Sequence, residues 1–267
     1  MENTKRIHLL SSTEVEELYA RPEFNTHEQR LYFTLNQSER TALAQFSNTK
    51  TRIYFIVQLG YFKAKQQFFN FSLDEVSNDV QFIVSTYYNE SALISFTGRI
   101  SRDYVRIQRQ TILSLFSYRN WTSDFAPETQ THIGDLLRYY PKGHSAFRQL
   151  LAYFDHQKII IPSYTTLQDI FSRAFADEGK RLNAVIASMP ASISDQLTAL
   201  IHCDDGITAL NIIRADQKDF QYTAVKTEVD KASRIVDLYT FAKTFIPSLN
   251  LSKNAVRYYA DIAEQYA

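Results

Sequence analysis

Apolar residues in this chain recur three and four positions apart, the spacing of one face of a helix, and short polar or proline-marked joints interrupt the pattern. After a short arm, Ser11 or Ser12 caps a first helix whose opening turn carries Glu14, Glu16 and Glu17 and which ends near Arg21-Pro22. A second starts after Asn25 or Thr26 with Leu31, Tyr32, Phe33 and Leu35, and Ser38 opens a third through ERTALAQF. Ser47-Asn48-Thr49 breaks the pattern. The stretch that follows, KTRIYFIVQLGYFKAKQQFF, is apolar on nearly every side and predicts a central, buried helix whose exposed part is its first turn.

The segment FFNF then reads as a joint between two helical units, because Ser72-Leu73-Asp74-Glu75 has the form of a capping box that begins a new one. Helices are predicted here over 73–87, 90–96 and 101–117, with the turn Thr97-Gly98 ahead of the last. Beyond Trp121, Asp124 and Pro127 open a helix through HIGDLLRYY that Pro141 ends, and Ser145 opens AFRQLLAYFDHQ. KIIIP is too short for a helix and tucks apolar residues against a neighbouring bundle. A long helix runs from Thr165 to Pro190, with Gly179 loosening its middle. The final third predicts a helix from Ser194 to Cys203, a turn at Asp204 to Gly206, the helix ITALNIIRA, an amphipathic helix from Ala224 to Phe245 and a last one capped by Ser252. The tyrosine and apolar stripe of that last helix runs to the final residue, which predicts that the chain continues in a longer protein. The fold class is therefore all-α: consecutive small helical bundles with helix-turn-helix-like units, followed by long helices. Three domains are expected, at 1–70, 71–158 and 159–267, the last a linker or scaffold.

Only six glycines and six prolines serve 267 residues, against 19 phenylalanines and 17 tyrosines, which suits long helices packed through aromatic rings better than a turn-rich β-sandwich. A hydrophobic content of 45% supports a packed core. No signal-peptide core is present, and no run nears the ~20 apolar residues that span a bilayer, so no membrane partner and a cytoplasmic location are expected. The lone cysteine, Cys203, excludes an internal disulfide and a cysteine-based zinc site. His202 beside it has no second ligand pair at metal spacing, and neither a G-x-S-x-G nucleophile motif nor a glycine-rich phosphate loop occurs. No metal, cofactor or catalytic residue is predicted. The 29 basic and 29 acidic residues cancel, so binding to nucleic acid must come from a local patch.

The strongest such patch is RISRDYVRIQRQTILSLFSYR, 99–119. At about 100° per residue, Arg99, Arg102, Arg106 and Arg109 share one narrow arc, while Ile100, Tyr104, Ile107 and Leu115 form a separate, docking arc. As the third helix of its cluster it stands where a recognition helix stands, with guanidinium groups for phosphates and guanine edges. The pattern alone also fits a solvated charged face. A second candidate is the helix from Glu39 to Phe46, a three-residue turn and the helix from Lys50, with Ala44 and Asn48 at the small-residue and turn positions; a plain three-helix bundle has the same pattern. There Lys50 and Arg52 would meet phosphate beside free backbone N–H groups. Lys63 and Lys65 either extend that surface or complement the helix dipole, and Arg119 either holds a phosphate or caps the preceding helix. Tyr54, Phe55, Tyr61 and Phe62 read as core rather than as base-stacking platforms.

Six collinear blocks carry a family resemblance: LLSSTEVEELYARPEFNTHEQRLYFTL, TRIYFIVQLGYFKAKQQFFNF, YVRIQRQTILSLFSYRNWT, LLAYFDHQKIIIPSYTTLQDI, LIHCDDGITALNIIRADQKDFQYTAVKTEVDKASRI and IPSLNLSKNAVRYYADIAEQYA. In this order they resemble the N-terminal part of transposases of the Tn-three family of replicative transposons, over nearly the whole chain. The resemblance implies sequence-specific binding of double-stranded DNA at the terminal inverted repeats, through two helix-turn-helix-like units, ahead of a separate metal-dependent nuclease. That catalytic domain lies downstream of the matched region, so its acidic residues have no counterpart here, and Asp204 and Asp205 do not stand in for them. Many relatives carry histidine near the position of Gln108, so a histidine contact does not transfer, while Arg106 and Arg109 do. A bacterial, nucleoid-associated protein is implied, with other transposase protomers as further partners. The alternative is a helical interaction or oligomerisation module of a transposition complex.

Overall fold

Three short helices open the chain of the computed structural model, which describes residues 7–88, 100–201, 203–204, 207–208, 211, 213, 215–216 and 221–266. These are α1 (Ser12–Tyr19), α2 (Thr26–Phe33) and α3 (Gln37–Leu43). Each starts with the same device: Ser11, Asn25 and Asn36 accept a backbone N–H from the third helical residue, and Glu14, Glu28 and Glu39 accept one in return. Asn36, not Ser38, therefore begins α3. The cap side chains satisfy donors that helices this short could not satisfy internally.

Asn48 caps α4 (Thr49–Lys65), in which Thr51 and every residue from Ile53 to Phe62 is buried. A helix apolar on all sides must be covered on all sides. Here α2, α3, α5 (Ser77–Tyr87) and α6 (Arg102–Phe116) do so, and α4 is the axis of one hydrophobic cluster. The boundary expected near residue 70 does not divide this core: Phe69 and Leu73 are buried in it, and Phe68 and Phe71 pack against it. Gly60 lets α2 approach closely, since a Cβ there would strike the ring of Phe33. Buried Asp79 of α5 accepts from Gln29 Nε2 of α2 at 2.8 Å and from Tyr61 Oη of α4 at 2.6 Å, so one carboxylate ties three helices. Burial, then the bond and charge of Asp79, push the Tyr61 phenol far above its ordinary pKa.

Chain contacts divide the molecule into two compact units, His8–Phe125 with Leu150–Leu167, and Ala126–Gln149 with Gln168–Ala267 and Met1–Ile7. Both differ from the expected division at 158. In the first unit the Lys-Ile-Ile-Ile segment is held by backbone bonds to Arg119, from Arg119 N to Lys158 O (2.8 Å) and from Ile160 N to Arg119 O (3.0 Å). The second contains α7 (Ala126–Tyr139), α10 (Ala191–Ile201), α11 (Tyr222–Phe245) and α12 (Lys253–Tyr266), while α8 (Gly143–His156) and α9 (Tyr164–Ala187) contribute residues to both. Ile133, Leu137, Phe147 and Phe171 are buried in the second unit, and Ser252 caps α12 through Ala255 N at 3.1 Å. The α9 helix runs unbroken past Gly179. Ile207–Thr208, expected to start a helix, instead pair antiparallel with Cys203–Asp204. The β-branched pair beyond an Asp-Gly dipeptide favours that hairpin over a helix start. Among the described residues the fold is all-α apart from this two-residue ladder and a single bridge between Arg119 and Ile159, and no helix among them is long and apolar enough to cross a membrane.

Candidate nucleic-acid interface

Ser101 caps α6 by accepting Tyr104 N–H, and the helix ends where Ser117 takes a left-handed φ of 58° and Tyr118 N–H closes back onto Leu113 O at 2.9 Å. Its docking face coincides with only part of the expected apolar arc: Ile100 and Leu115 pack against the core, but Tyr104 and Ile107 do not. Gln108, Ile112 and Leu113 are buried, with Val105 and Phe116 packed beside them, whereas Tyr104 and Ile107 are 53% and 47% exposed. The reason is Gln108: fully enclosed, it donates from Nε2 to Thr51 O at 2.8 Å and pins α6 to the first turn of α4. A buried amide placed on a backbone carbonyl rotates the helix toward its polar side.

That rotation carries the arginine arc to the edge of the packed face and separates its members. Arg109 is drawn in: its guanidinium donates to Phe69 O (3.1 Å) and Asn70 Oδ1 (2.8 Å) and lies 5.3 Å from the Phe68 ring centroid. Burial lowers its pKa from the usual arginine value. Arg102 and Arg106 remain exposed, and the only ion pair of Arg106 among the described residues is a 4.0 Å approach to Asp103 between two largely solvated side chains. Arg99 lies outside the described residues, as do the predicted helix 90–96 and the turn Thr97-Gly98.

Lys50, in the first turn of α4, joins Arg102, Arg106 and Arg109 along one groove of about 940 Å³. Tyr54, Phe68, Phe71 and Val105 give it apolar walls, Asn70, Gln110 and Asn120 add amides, and Asp74 and Glu75 line it as well. Of the two acids, Glu75 also accepts from Arg21 (3.5 Å) and from Ser72 N (3.4 Å), the remaining half of the expected capping box. No periodicity pointed to Asn70, Asp74, Glu75 or Asn120, because the segment after α4 brings the first three there and the segment after α6 brings Asn120. Among the described residues, no group of three or more His, Cys, Asp and Glu side chains is placed to hold a metal.

The other predicted cations are not in the groove. Lys63 Nζ donates to Glu39 Oε2 (2.8 Å) and Thr34 O (3.0 Å), with its side chain 16% exposed and that of Glu39 3%. Lys65 Nζ donates to Glu17 O, and Arg52 Nε to Phe46 O. Lys63 and Lys65 tether α4 to other helices, and Arg52 ties its first turn to the loop before it. Arg119 is exposed, with its guanidinium 5.0 Å from the Phe125 ring centroid, and it does not cap α6. The helix-turn-helix expected around α4 is corrected as well: a helix buried from Ile53 to Phe62 has no face to lay in a DNA groove, and only its two end turns are partly exposed.

Residues 9–174 match the model of the family described as a domain of unknown function, DUF4158. The chain belongs to this family. The DUF4158 match spans α1 to α8, all of the described groove and the first half of α9. No curated protein matches the chain.

Proposed function

We propose that this chain is the DNA-binding N-terminal part of a transposase and recognises the terminal inverted repeats of its transposon as double-stranded DNA. The observation that carries the reading is the convergence of Lys50, Arg102 and Arg106 on one groove beside an exposed helix. Four of the six blocks that resemble Tn-three transposases, 9–35, 51–71, 104–122 and 150–170, fall inside the DUF4158 match. In this reading α6 lies in the major groove and Lys50, at the start of α4, meets the neighbouring phosphates, where backbone N–H groups of the helix terminus assist. Asp74 and Glu75 line the same groove and repel phosphate from their part of it. Each phosphate neutralised adds about 0.9 to the salt slope, so three cations contribute roughly 3. Cleavage and joining belong to another domain of the same protein, and the location is the cytoplasm, on the nucleoid.

Fluorescence anisotropy with a duplex of the element's own terminal repeat tests this. Binding at physiological salt that is at least tenfold tighter than to a scrambled duplex is expected. Equal affinity for both sinks the claim of sequence recognition.

One observation favours a second reading, a helical interaction module. Helix α11 buries no residue, and Tyr222, Val225, Val229, Ala232, Val236 and Tyr239 are all exposed on it at alternating spacings of three and four. Such spacing is that of a coiled-coil seam. Self-association in light scattering without DNA, together with binding that ignores Arg102→Ala and Arg106→Ala, would select this reading.

A further inference from the structure

Helix α6 borders two depressions with different linings. The groove described above is cationic; the second, of about 390 Å³, is lined by Gln45, Arg106, Ile107, Gln110, Thr111 and Ser114. Arg106 and Gln110 line both and form the ridge between them. Gln45 and Gln110 are exposed, and neither carboxamide has a hydrogen-bond partner among the described residues. Ile107 is aliphatic yet 47% exposed. By contrast the Thr111 and Ser114 hydroxyls are engaged, each donating at 3.0 Å to the helix carbonyl four residues earlier.

A free carboxamide presents a donor and an acceptor side by side, the complement of adenine N6 and N7 in the major groove, and an aliphatic side chain meets the C5-methyl of thymine. Cations on phosphates position a protein without reading sequence. Gln110, on the ridge, and Ile107, outside the cationic groove, therefore supply what its cations lack. We infer that the Ile107 and Gln110 face of α6 reads an A·T pair, with Gln45 beside it, while Lys50 and Arg102 hold the backbone. This rests on the DNA-binding reading above and adds to it the kind of base recognised and the residues that recognise it.

Selection from a duplex pool with a randomised core, followed by sequencing of the bound fraction, tests the division of labour. The wild type enriches a motif with at least one strict A·T position. Gln110→Ala loses about tenfold of the preference at that position and keeps the wild-type salt slope. Alanine is the strongest helix former and the site is exposed, so the variant folds, which thermal melting verifies. Arg102→Ala does the reverse: it weakens binding to all duplexes, lowers the salt slope by about one and keeps the motif. Replacing the selected thymine by deoxyuridine, which lacks the methyl group, weakens the wild type but not Ile107→Ala. A wild type that enriches nothing overturns the DNA-recognition reading and this inference with it. A wild-type motif that both Gln110→Ala and Ile107→Ala reproduce unchanged overturns this inference alone.

Discussion

Replacing Lys63 by methionine removes the ammonium while keeping the length of the stem, and it separates two roles that the sequence left open. The ammonium nitrogen lies 2.8 Å from Glu39 Oε2 and 3.0 Å from Thr34 O. The same Glu39 oxygen accepts Asn36 N–H at 2.9 Å, so it closes the cap of α3 as well. With methionine at 63, a carboxylate only 3% exposed keeps that N–H and loses its countercharge. Breaking a buried pair from one side costs about 3 to 5 kcal/mol, and the 16% exposure of Lys63 points to the lower end. Set against a typical domain stability of about 5 to 15 kcal/mol, that is a large loss. Adding Glu39→Gln removes the stranded charge while an amide oxygen still accepts from Asn36, so the double variant should return to within about 1 kcal/mol of the wild type. Urea unfolding of the four chains, followed by circular dichroism, measures the cycle, and anisotropy under folding conditions measures the salt slope for DNA. Lys63→Met should leave that slope unchanged. A loss of stability under about 1 kcal/mol combined with a slope lower by one would refute the reasoning, because Lys63 would then be free to meet phosphate.

Gly60→Ala should destabilise by about 1 to 3 kcal/mol in the same unfolding assay, because the new methyl meets the ring of fully buried Phe33, which has no room to turn. Tyr61→Phe strips Asp79 of one of its two side-chain donors and should cost about 1 to 3 kcal/mol at neutral pH. Since the folded phenol's pKa is raised, its contribution is fully present below the unfolded value of about 10 and is lost as pH rises toward the folded one; the melting temperatures of wild type and Tyr61→Phe should therefore converge above pH ~10. Arg109→Ala should lower stability by about 1 to 2 kcal/mol through loss of its bonds to Phe69 and Asn70, whereas Arg102→Ala should leave the melting temperature unchanged and lower only the DNA salt slope.

The helices themselves were legible because caps and period are local. Ser11, Asn25, Asn48, Ser101 and Ser252 all stand at helix starts, and the all-round apolarity of α4 announced a buried axis. What the period could not show is which face of α6 docks. A helical wheel sorts residues into faces without saying which face meets the core, and here a single buried amide, Gln108, outweighed two exposed apolar side chains, Tyr104 and Ile107. The fate of each cation was likewise invisible. Whether Lys63 or Lys50 reaches solvent depends on carbonyls and carboxylates brought from 24 to 29 residues away for Lys63, and on the fold of the loop around Asn70 for the groove. The joint at FFNF misled for a related reason: consecutive aromatic residues beside polar ones look like a linker until α4 is seen to need them as cover.

The packing of α4 also limits how this unit can engage a duplex. A helix must offer a free face along several turns to contact base edges in a groove about 12 Å wide, and α4 offers only its two separated ends, with Lys63 and Lys65 of the second already engaged. Lys50 at the first end can reach a phosphate but not a run of bases. Helix α6 offers Arg102, Arg106, Ile107 and Gln110 along more than two turns of exposed surface, immediately beside Lys50. The two helices are pinned to each other by the Gln108 to Thr51 bond, so the proposed phosphate contact and the proposed base-reading face would keep a set spacing. One helix that reads and one helix end that anchors, rigidly joined, is the arrangement this core permits. Two equivalent recognition helices within the first unit would require α4 to leave the interior that every neighbouring helix is packed to cover.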